Sequence, residues 1–355
     1  MTFDLIRRRL ANQNISVTEI TDPARLVSRM GAIQAQDYPG SLWSIGLRLK
    51  DSTEEQIENA IAQGKIIRTW PMRGTLHFVH ADDASWILQL LTPGIIAGNL
   101  PRLKRMGLDE EVFKKSRKVL VKALQHEKIL TREDIYEILA SSKIQVKNQL
   151  GIHILWKLAQ EGLICFGPKA GKKFTFVLFD EWIPGGKNLK KDEAFAEIAE
   201  RYFLTRGPAT LEDFAWWTGL NRTSALRCLE IIDNRLNKIS IGTVTYYYPI
   251  NELPVKNIKN DKICLLPGFD EYLVSYKDRT MLLEPEMLRA HFHGLVTPKV
   301  LIHGRIGGVW KREMNRHSVS VRINWFHAQP ESVRKKTSAA IQSYSKFIGK
   351  KIEIP

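Results

Sequence analysis

The fold class follows from a stretch that begins Leu130-Thr131-Arg132-Glu133-Asp134-Ile135-Tyr136-Glu137-Ile138-Leu139. Its Thr-x-x-Asp start is a helix-capping signal, and apolar residues follow at helical spacing. Residues 150–159 predict a second helix, which Gly162 ends. The period then becomes that of strands at 163–166 and 174–179, on either side of a basic turn. Helix, turn, helix and basic hairpin in this order are typical of a winged helix-turn-helix.

The same order of elements recurs near residue 200. A helix closes at Arg206, Thr210-Leu211-Glu212-Asp213 supplies another cap, and residues 222–232 predict the next helix before strands at 239–241 and 244–248. An earlier copy is predicted from two helices and two strands, at 23–33, 53–63, 66–72 and 75–79. The sequence therefore predicts three tandem winged-helix modules.

Beyond residue 254 the pattern is β-rich. Strands are predicted at 263–266, 272–276, 300–303, 309–312 and 319–325. Gly304-Arg305 predicts a hairpin turn, and residues 330–348 predict a final helix. We expect an α+β protein with winged-helix modules at 1–110, 111–190 and 191–254 and a basic β-rich subdomain at 255–355.

Charge identifies the class of partner. The 355 residues contain 53 Lys and Arg against 38 Asp and Glu, a net charge of +15. Residues 256–355 hold eighteen of these basic residues and nine of the acidic ones, so more than half of the excess lies there. Aromatic residues such as Trp310, Trp325 and Phe326 alternate with the basic clusters, which suits a polyanion with stackable bases.

Cysteine usage and hydropathy indicate the cellular compartment. Cys165, Cys228 and Cys264 lie far apart, which excludes a CxxC motif and a disulfide framework. No stretch approaches the roughly 20 apolar residues that a membrane helix needs. We therefore expect a cytoplasmic protein with no membrane partner.

The segment Ile33-Gln34-Ala35-Gln36-Asp37-Tyr38 is hard to explain by structure alone. Two amides at i and i+2 do not share a helix face, but at a helix end that opens into a loop both can point into one cleft. Pro39-Gly40 then predicts a sharp turn. The alternative is that both amides cap backbone groups or face water.

Two further segments carry candidate chemistry. Arg73, in a tight turn, can reach a phosphate with support from Trp70. Asp270 and Glu271 could serve as general acid and base, but adjacent acids on a strand point to opposite faces. The favoured interpretation of these acids is a structural turn paired with Arg279.

Four motifs in order carry a family resemblance. They are Gln34-Ala35-Gln36-Asp37, Arg68-Thr69-Trp70-Pro71-Met72-Arg73-Gly74-Thr75-Leu76-His77, Leu265-Leu266-Pro267-Gly268-Phe269-Asp270-Glu271-Tyr272-Leu273, and Gly304-Arg305 with Trp310-Lys311-Arg312. Together they resemble the winged-helix DNA glycosylase family of AlkZ and YcaQ, over essentially the whole chain.

The resemblance implies a single-chain enzyme with a C-shaped, positively lined cleft for duplex DNA. Members hydrolyse the N-glycosidic bond of bulky N7-alkylguanine adducts and unhook interstrand crosslinks. The family's Gln-x-Gln motif maps onto Gln34 and Gln36, the expected catalytic residues, whereas Asp37 inherits no role. The implied partner is duplex DNA carrying alkylation damage, bound by a nucleoid-associated monomer without cofactor or metal.

Amides suit this reaction because N7 alkylation already places positive charge on the leaving base. The base then departs without a general acid, through an oxocarbenium-like transition state. A neutral amide is no base at pH 7, but its carbonyl can accept a hydrogen bond from the attacking water. Gln34 and Gln36 would orient that water and stabilise the developing charge.

Basic side chains on the hairpins, on the second recognition helix and in the C-terminal region are the expected DNA contacts. Phosphate contacts of this kind give affinity without sequence preference. The expected contacts are Arg73, Lys169, Lys172, Lys173, Arg222, Arg227, Arg305, Lys311 and Arg312.

Two other classes of protein remain open from the sequence. A non-enzymatic winged-helix regulator would bind DNA without needing the Gln-x-Gln pair, although an obvious dimerisation helix is lacking. A metal-dependent hydrolase would need a complete ligand set, and no Cys or acid completes one at the usual spacing. The histidines in question are His77, His80, His291 and His293.

Overall fold

The computed structural model describes residues 4–250, 262–283 and 294–353. Contacts divide the chain into two compact units, the first formed by Met1–Glu58 with Ala196–Pro355 and the second by Asn59–Phe195. Within the described ranges, no helix has the length and apolar character to cross a membrane. This grouping into two units does not test the predicted division into three winged-helix modules and a C-terminal subdomain, which stays a prediction.

The first unit begins with helices around one short strand. These elements are α1 (Leu5–Asn12), α2 (Pro23–Met30), β1 (Ile33–Gln34), α3 (Tyr38–Gly46) and α4 (Glu54–Ala62), which runs into the second unit. Asp22 begins α2 by accepting a hydrogen bond from the Ala24 backbone at 2.9 Å, and Pro23 occupies the first turn, where its missing N–H costs nothing.

The second unit contains the hairpin β2 (Ile66–Met72) and β3 (Thr75–His80), and then α5 (Ala81–Arg105) and α6 (Glu110–Leu124). Its later elements are β4 (Leu130–Thr131), α7 (Arg132–Ser141), α8 (Leu150–Gln160), β5 (Ile164–Phe166), β6 (Thr175–Leu178) and α9 (Phe179–Trp182). Within the sheet, neighbouring strands of this unit are hydrogen-bonded in the order β3, β2, β5, β6, β4. Strand β2 is buried along its whole length.

Helix α10 (Lys191–Arg206) leads back into the first unit. There follow α11 (Leu211–Thr218), α12 (Arg222–Ile231), β7 (Leu236–Ile241), β8 (Val244–Pro249), β9 (Ile263–Leu266), α13 (Glu271–Val274), β10 (Lys299–Ile302), β11 (Arg305–Met314), β12 (Ser318–Trp325), α14 (Glu331–Phe347) and β13 (Lys351–Glu353). One sheet has the order β13, β12, β11, β10, β9, and β7 pairs with β8 as a separate antiparallel hairpin.

The capping signals of the sequence are present in the structure. Thr131 with Asp134 forms a capping box at the start of α7, and Thr210 with Asp213 forms another at the start of α11. Each helix pair is followed by an antiparallel hairpin, as predicted. The helices and hairpins predicted around these two capping boxes are therefore confirmed, while the number of winged-helix modules and the C-shaped cleft stay predictions.

Aromatic packing joins α3, α14 and the sheet of the first unit. The Trp43 indole N–H donates to the Leu265 carbonyl at 2.6 Å, and the Tyr344 ring lies 5.1 Å from Trp43 and 5.2 Å from Trp310. Gly46 faces the Phe347 ring so closely that a Cβ at this position would overlap the ring. The helix can approach only because this residue has no side chain.

Two sequence predictions are wrong. Residues 272–276, expected to be a strand, form the short helix α13 and its end, because the Asp270 carboxylate accepts a hydrogen bond from the Tyr272 backbone at 2.9 Å. These residues are buried on every side, so no polar face reveals the helical period. Pro39-Gly40, expected to turn the chain sharply, lies in the first turn of α3, where proline is well tolerated.

Thiol accessibility tests the packing. All three cysteines are free and buried, and burial raises the pKa of the Cys264 thiol to about 11 and raises that of Cys165 further. Because thiolates are the reactive form, we expect the native protein at pH 8 to react with Ellman's reagent far more slowly than the protein in guanidinium chloride. Three rapidly titrating thiols in the native state would contradict the packing described here.

Candidate active site

The Gln-x-Gln segment lies between α2 and α3. Helix α2 ends at Met30, Gly31 takes a positive φ of 74°, and Gln34 closes the two-residue strand β1. The segment therefore opens from a strand and not from the helix end that was predicted. Gln34 is 8% exposed, whereas Gln36, two residues later, is exposed.

The backbone N–H and the side-chain oxygen of Gln34 have different surroundings. Its backbone N–H donates to Glu271 Oε1 at 2.9 Å. Its side-chain oxygen Oε1 is buried and accepts no hydrogen bond from any residue that the structure describes. A buried acceptor without a partner costs free energy, and a hydrogen bond donated to this oxygen by a water molecule or a ligand would remove that cost.

Glu271 is the centre of a fully buried polar cluster. Its Oε2 accepts hydrogen bonds from Arg206 at 2.7 Å, from Ser275 at 2.8 Å and from the Trp217 indole at 3.0 Å. The Arg206 guanidinium lies 4.2 Å from the Trp217 ring centroid. Charge-assisted hydrogen bonds of this kind are short and directional, so the carboxylate has little freedom to move.

Arg206 also holds the backbone that leads to Gln34. One guanidinium nitrogen donates to the Met30 carbonyl at 2.7 Å, and the other donates to the Ala32 carbonyl at 2.9 Å. The Arg206–Glu271 pair therefore contacts the backbone of residues 30, 32 and 34 in succession. It determines where the Gln-x-Gln segment lies within the first unit.

Asp270 makes a second buried ion pair beside the first. Arg48 donates two hydrogen bonds to its two oxygens, each 2.8 Å long, and Ser44 donates a third at 2.7 Å. Burial alone would lower the pKa of Arg48, but the Asp270 carboxylate reverses this and raises the pKa above its ordinary value. Arg48 extends the network by donating to the Gln13 side-chain oxygen at 2.9 Å.

These contacts correct the expected pairing of the acids with Arg279. The Arg279 side chain donates to the Leu273 carbonyl instead, at 2.6 Å. The acids do not alternate across a strand, since Asp270 caps α13 and Glu271 is its first residue. Sequence reasoning missed Arg48 and Arg206; two adjacent acids in an apolar run signal that cations must be buried with them, but not which cations.

The tip of the β2–β3 hairpin carries Arg73 in the second unit. Arg73 has a positive φ of 51° and Gly74 one of 69°, so the predicted tight turn is confirmed. The Arg73 guanidinium lies 3.3 Å from His77 Nε2 and is half-buried. Trp70 is only 6% exposed and packs 5.1 Å from Phe166, in the hydrophobic core and not on the surface.

The remaining expected DNA contacts are mostly on the surface. Lys169, Lys172 and Lys173 are exposed on the β5–β6 hairpin, where Ala170 and Lys173 close the turn with two backbone hydrogen bonds of 3.1 Å. Of the expected contacts in the first unit, four are exposed: Arg222, Arg227, Arg305 and Lys311. Arg312 differs, because it is half-buried and donates a hydrogen bond to the Tyr344 hydroxyl.

Several expected contacts already have acidic neighbours. Lys173 lies 3.7 Å from Glu133, and Arg222 lies 3.7 Å from Glu212. Exposed pairs of this length contribute little free energy, so a phosphate could replace either acid. In the described ranges no cluster of His, Cys, Asp and Glu could hold a metal ion; His291 and His293 lie outside those ranges.

Comparisons with known proteins assign the family. The family model for DNA glycosylase AlkZ-like proteins matches residues 27–347, which include Gln34, Gln36 and the Asp270-Glu271 pair. The chain belongs to the AlkZ-like DNA glycosylase family. It is therefore an enzyme of the DNA glycosylase type with DNA as its substrate, and the interpretation as a non-enzymatic regulator is not retained.

A sequence and a solved structure from Streptomyces sahachiroi are similar to this chain. An interstrand DNA cross-link repair glycosylase of Streptomyces sahachiroi is 28% identical over 321 residues, which cover 81% of each chain. The solved structure of the Streptomyces sahachiroi DNA glycosylase AlkZ superposes with a TM-score of 0.78 at 23% identity, over 99% of this chain and 98% of that one. The second likeness confirms the α+β fold.

The buried ion pair beside the site has a measurable effect on stability. We expect Asp270→Asn to lower the free energy of unfolding by about 3–5 kcal/mol, because it leaves the Arg48 guanidinium buried without its counter-charge. The control is Glu313→Gln, whose partner Arg322 is 3.1 Å away on the exposed surface and which should cost at most about 1 kcal/mol. Equal losses in urea titrations would contradict the different environments of the two pairs.

Proposed function

We propose that this DNA glycosylase hydrolyses the N-glycosidic bond of bulky, cationic N7-alkylguanine adducts in duplex DNA, including the unhooking of interstrand crosslinks. Gln34 and Gln36 position the attacking water. The enzyme acts as a monomer, without a metal or cofactor. A cytoplasmic, nucleoid-associated location is part of the same proposal.

One observation carries the catalytic role. Gln34 Oε1 is a buried acceptor with no hydrogen-bond partner among the described residues, while the backbone of the same residue is held firmly. A carbonyl oxygen in this position can accept a hydrogen bond from a water molecule and orient the lone pair of that water. Orientation of the attacking water is what the reaction requires of the enzyme, because a cationic base needs no proton from the enzyme in order to leave.

Gln36 is suited to the substrate side of the reaction. Its exposed side chain lies two residues after Gln34 and two residues before the start of α3. An amide presents both a donor and an acceptor, so Gln36 can bind the attacking water or the sugar while Gln34 acts from within the protein. Preorganised dipoles of this kind stabilise developing charge without reorganisation.

The electrostatics of the site agree with neutral catalytic groups. The two acids of the Leu265–Leu273 motif, Asp270 and Glu271, are each paired with a buried arginine. Neither carboxylate is available as a general base without breaking its ion pair. The proposed chemistry therefore depends on orientation, and the enzyme should discriminate strongly in favour of bases that already carry positive charge.

Phosphate contacts supply affinity in the proposal. They are made by Arg73, Lys169, Lys172 and Lys173 in the second unit and by Arg222, Arg227, Arg305, Lys311 and Arg312 in the first. The exposed lysines of the β5–β6 hairpin support this role, because flexible ammonium groups on a turn adapt to a backbone of any sequence. Arg312, bonded to Tyr344, has the least freedom to contribute.

The catalytic proposal is tested on a duplex that contains N7-alkylguanine. We expect Gln34→Ala and Gln36→Ala each to lower the single-turnover rate of base release by roughly 100-fold, the lower end of the range for removing a group that orients a reacting proton or charge. Gln342→Ala, a change of an exposed glutamine on α14, should leave the rate unchanged. EDTA should have no effect, and a neutral damaged base should be released much more slowly.

No base release from the alkylated duplex by the wild-type protein would overturn the proposed substrate. Release that persists at the wild-type rate in both active-site variants would overturn the role of the glutamines. The abasic product is read by alkaline cleavage of a labelled strand, and an unmodified duplex of the same sequence reports nuclease contamination.

The phosphate contacts are tested by the salt dependence of binding. Each phosphate that is neutralised contributes about 0.9 to the slope of log K against log salt concentration. The triple change Lys169→Gln, Lys172→Gln and Lys173→Gln should therefore reduce the slope by about 2 to 3. The double change Lys346→Gln and Lys351→Gln, at positions outside the proposed contacts, is the control; an equal fall in both proteins would indicate a general effect of net charge.

A further inference from the structure

We propose that Glu271 is a positioning residue of the reaction, which sets the place of the Gln34 carbonyl through the backbone of Gln34. The inference rests on the proposed function, since it concerns the residue that holds the water-orienting amide. It assigns to a buried carboxylate a part in catalysis without contact with the substrate.

The two carboxylate oxygens of Glu271 accept hydrogen bonds from different groups. Four donated hydrogen bonds converge on Oε2: two from Arg206 at 2.7 and 3.3 Å, one from Trp217 at 3.0 Å and one from Ser275 at 2.8 Å. Oε1 accepts the bond from the Gln34 backbone at 2.9 Å. One oxygen thus anchors the side chain in the protein, and the other is directed at the catalytic segment.

Arg206 completes the support. Since it holds the Met30 and Ala32 carbonyls and Glu271 holds the Gln34 N–H, one ion pair binds three alternate residues of a single stretch of backbone. Both members of the pair are fully buried, so thermal motion of the stretch is restricted by charge-assisted bonds. The position of Gln34 Oε1 relative to a bound sugar follows from this restraint.

Asp270 provides an internal comparison. It is equally buried and also paired with an arginine, but its hydrogen bonds go to Arg48, Ser44 and the Tyr272 backbone. Within the part of the chain that the structure describes, it makes no hydrogen bond to residues 30–36. A purely structural role would make the two acids equivalent, whereas the positioning role belongs to Glu271 alone.

The variant Glu271→Gln distinguishes the roles of the two carboxylate oxygens. The five hydrogen bonds described above for the Glu271 carboxylate are all donated to it, so the amide oxygen should turn to the side where four donors converge. The NH2 group then faces the Gln34 N–H, donor against donor. Glu271→Gln therefore breaks the contact with Gln34 selectively and pushes the segment away, with almost no change in side-chain volume.

The measurement is the single-turnover rate of base release at saturating enzyme, corrected for the folded fraction, together with the dissociation constant for undamaged duplex. We expect Glu271→Gln to lower the rate by about 10- to 100-fold, because misplacement of a reacting group by 1 Å can cost about 100-fold. Binding should change by less than about twofold, since phosphate contacts dominate affinity. Asp270→Asn, the matched loss of a buried charge, should keep the corrected rate within about threefold of wild type, as it leaves the Gln34 bond intact.

The decisive experiment combines Glu271→Gln with Gln34→Ala. If Glu271 acts through Gln34, the double variant is no slower than Gln34→Ala alone, because the restraint has nothing left to position. Rates that multiply in the double variant, or equal losses in Glu271→Gln and Asp270→Asn, would overturn the inference. A wild-type rate in Gln34→Ala would overturn the proposed function instead, so the two failures are distinguishable.

A second variant covers the case in which Glu271→Gln does not fold. Glu271→Asp keeps the negative charge opposite Arg206 but withdraws the carboxylate by one methylene from the Gln34 N–H. The same comparison with Gln34→Ala then applies. Full activity in a folded Glu271→Asp enzyme would overturn the inference as clearly as additive rates would.

Discussion

The pairing of two adjacent buried acids with two buried arginines is the constraint on which the first unit depends. Asp270 and Glu271 cannot be buried as charges without Arg48 and Arg206, because an unpaired charge in a protein interior costs several kcal/mol. Arg206 is the last residue of α10 and Arg48 lies two residues beyond the end of α3, so both arginines are far from the acids in sequence. Satisfying both acids therefore brings α3, α10 and the segment around α13 together, and the Arg206–Glu271 pair also holds the strand that carries Gln34.

The same ion pairs explain how an enzyme with a net charge of +15 can use uncharged groups for its proposed chemistry. Arg48 and Arg206 balance the charges of Asp270 and Glu271 inside the first unit, while exposed lysines and arginines lie on hairpins and helix surfaces. Affinity for a polyanion and orientation of a water molecule are thus assigned to different residues. A leaving base that already carries positive charge makes this separation chemically sufficient.

Local signals predicted most of the secondary structure. The capping boxes at Thr131 and Thr210 and the hairpin turns were readable because they depend on residues close in sequence. Residues 272–276 were not, since burial on all sides removes the polar face that distinguishes a helix from a strand. Pro39-Gly40 is ambiguous as a local signal, because proline is favourable in a first helical turn and unfavourable later, and only the position of the helix start distinguishes the two.

The sequence by itself determined the α+β class, the basic and DNA-directed character of the chain, and the Gln-x-Gln pair as the candidate for catalysis. Each of these depends on composition, on short-range pattern or on motifs in linear order. Only the tertiary structure decided that Gln34 is buried and that its side-chain oxygen has no hydrogen-bond partner among the described residues. It also decided that Trp70 lies in the core and that Glu271 accepts a hydrogen bond from the Gln34 backbone while it is paired with Arg206. Which cation a buried acid selects is a matter of contacts between residues tens to hundreds of positions apart, and these contacts leave no periodic trace in the sequence.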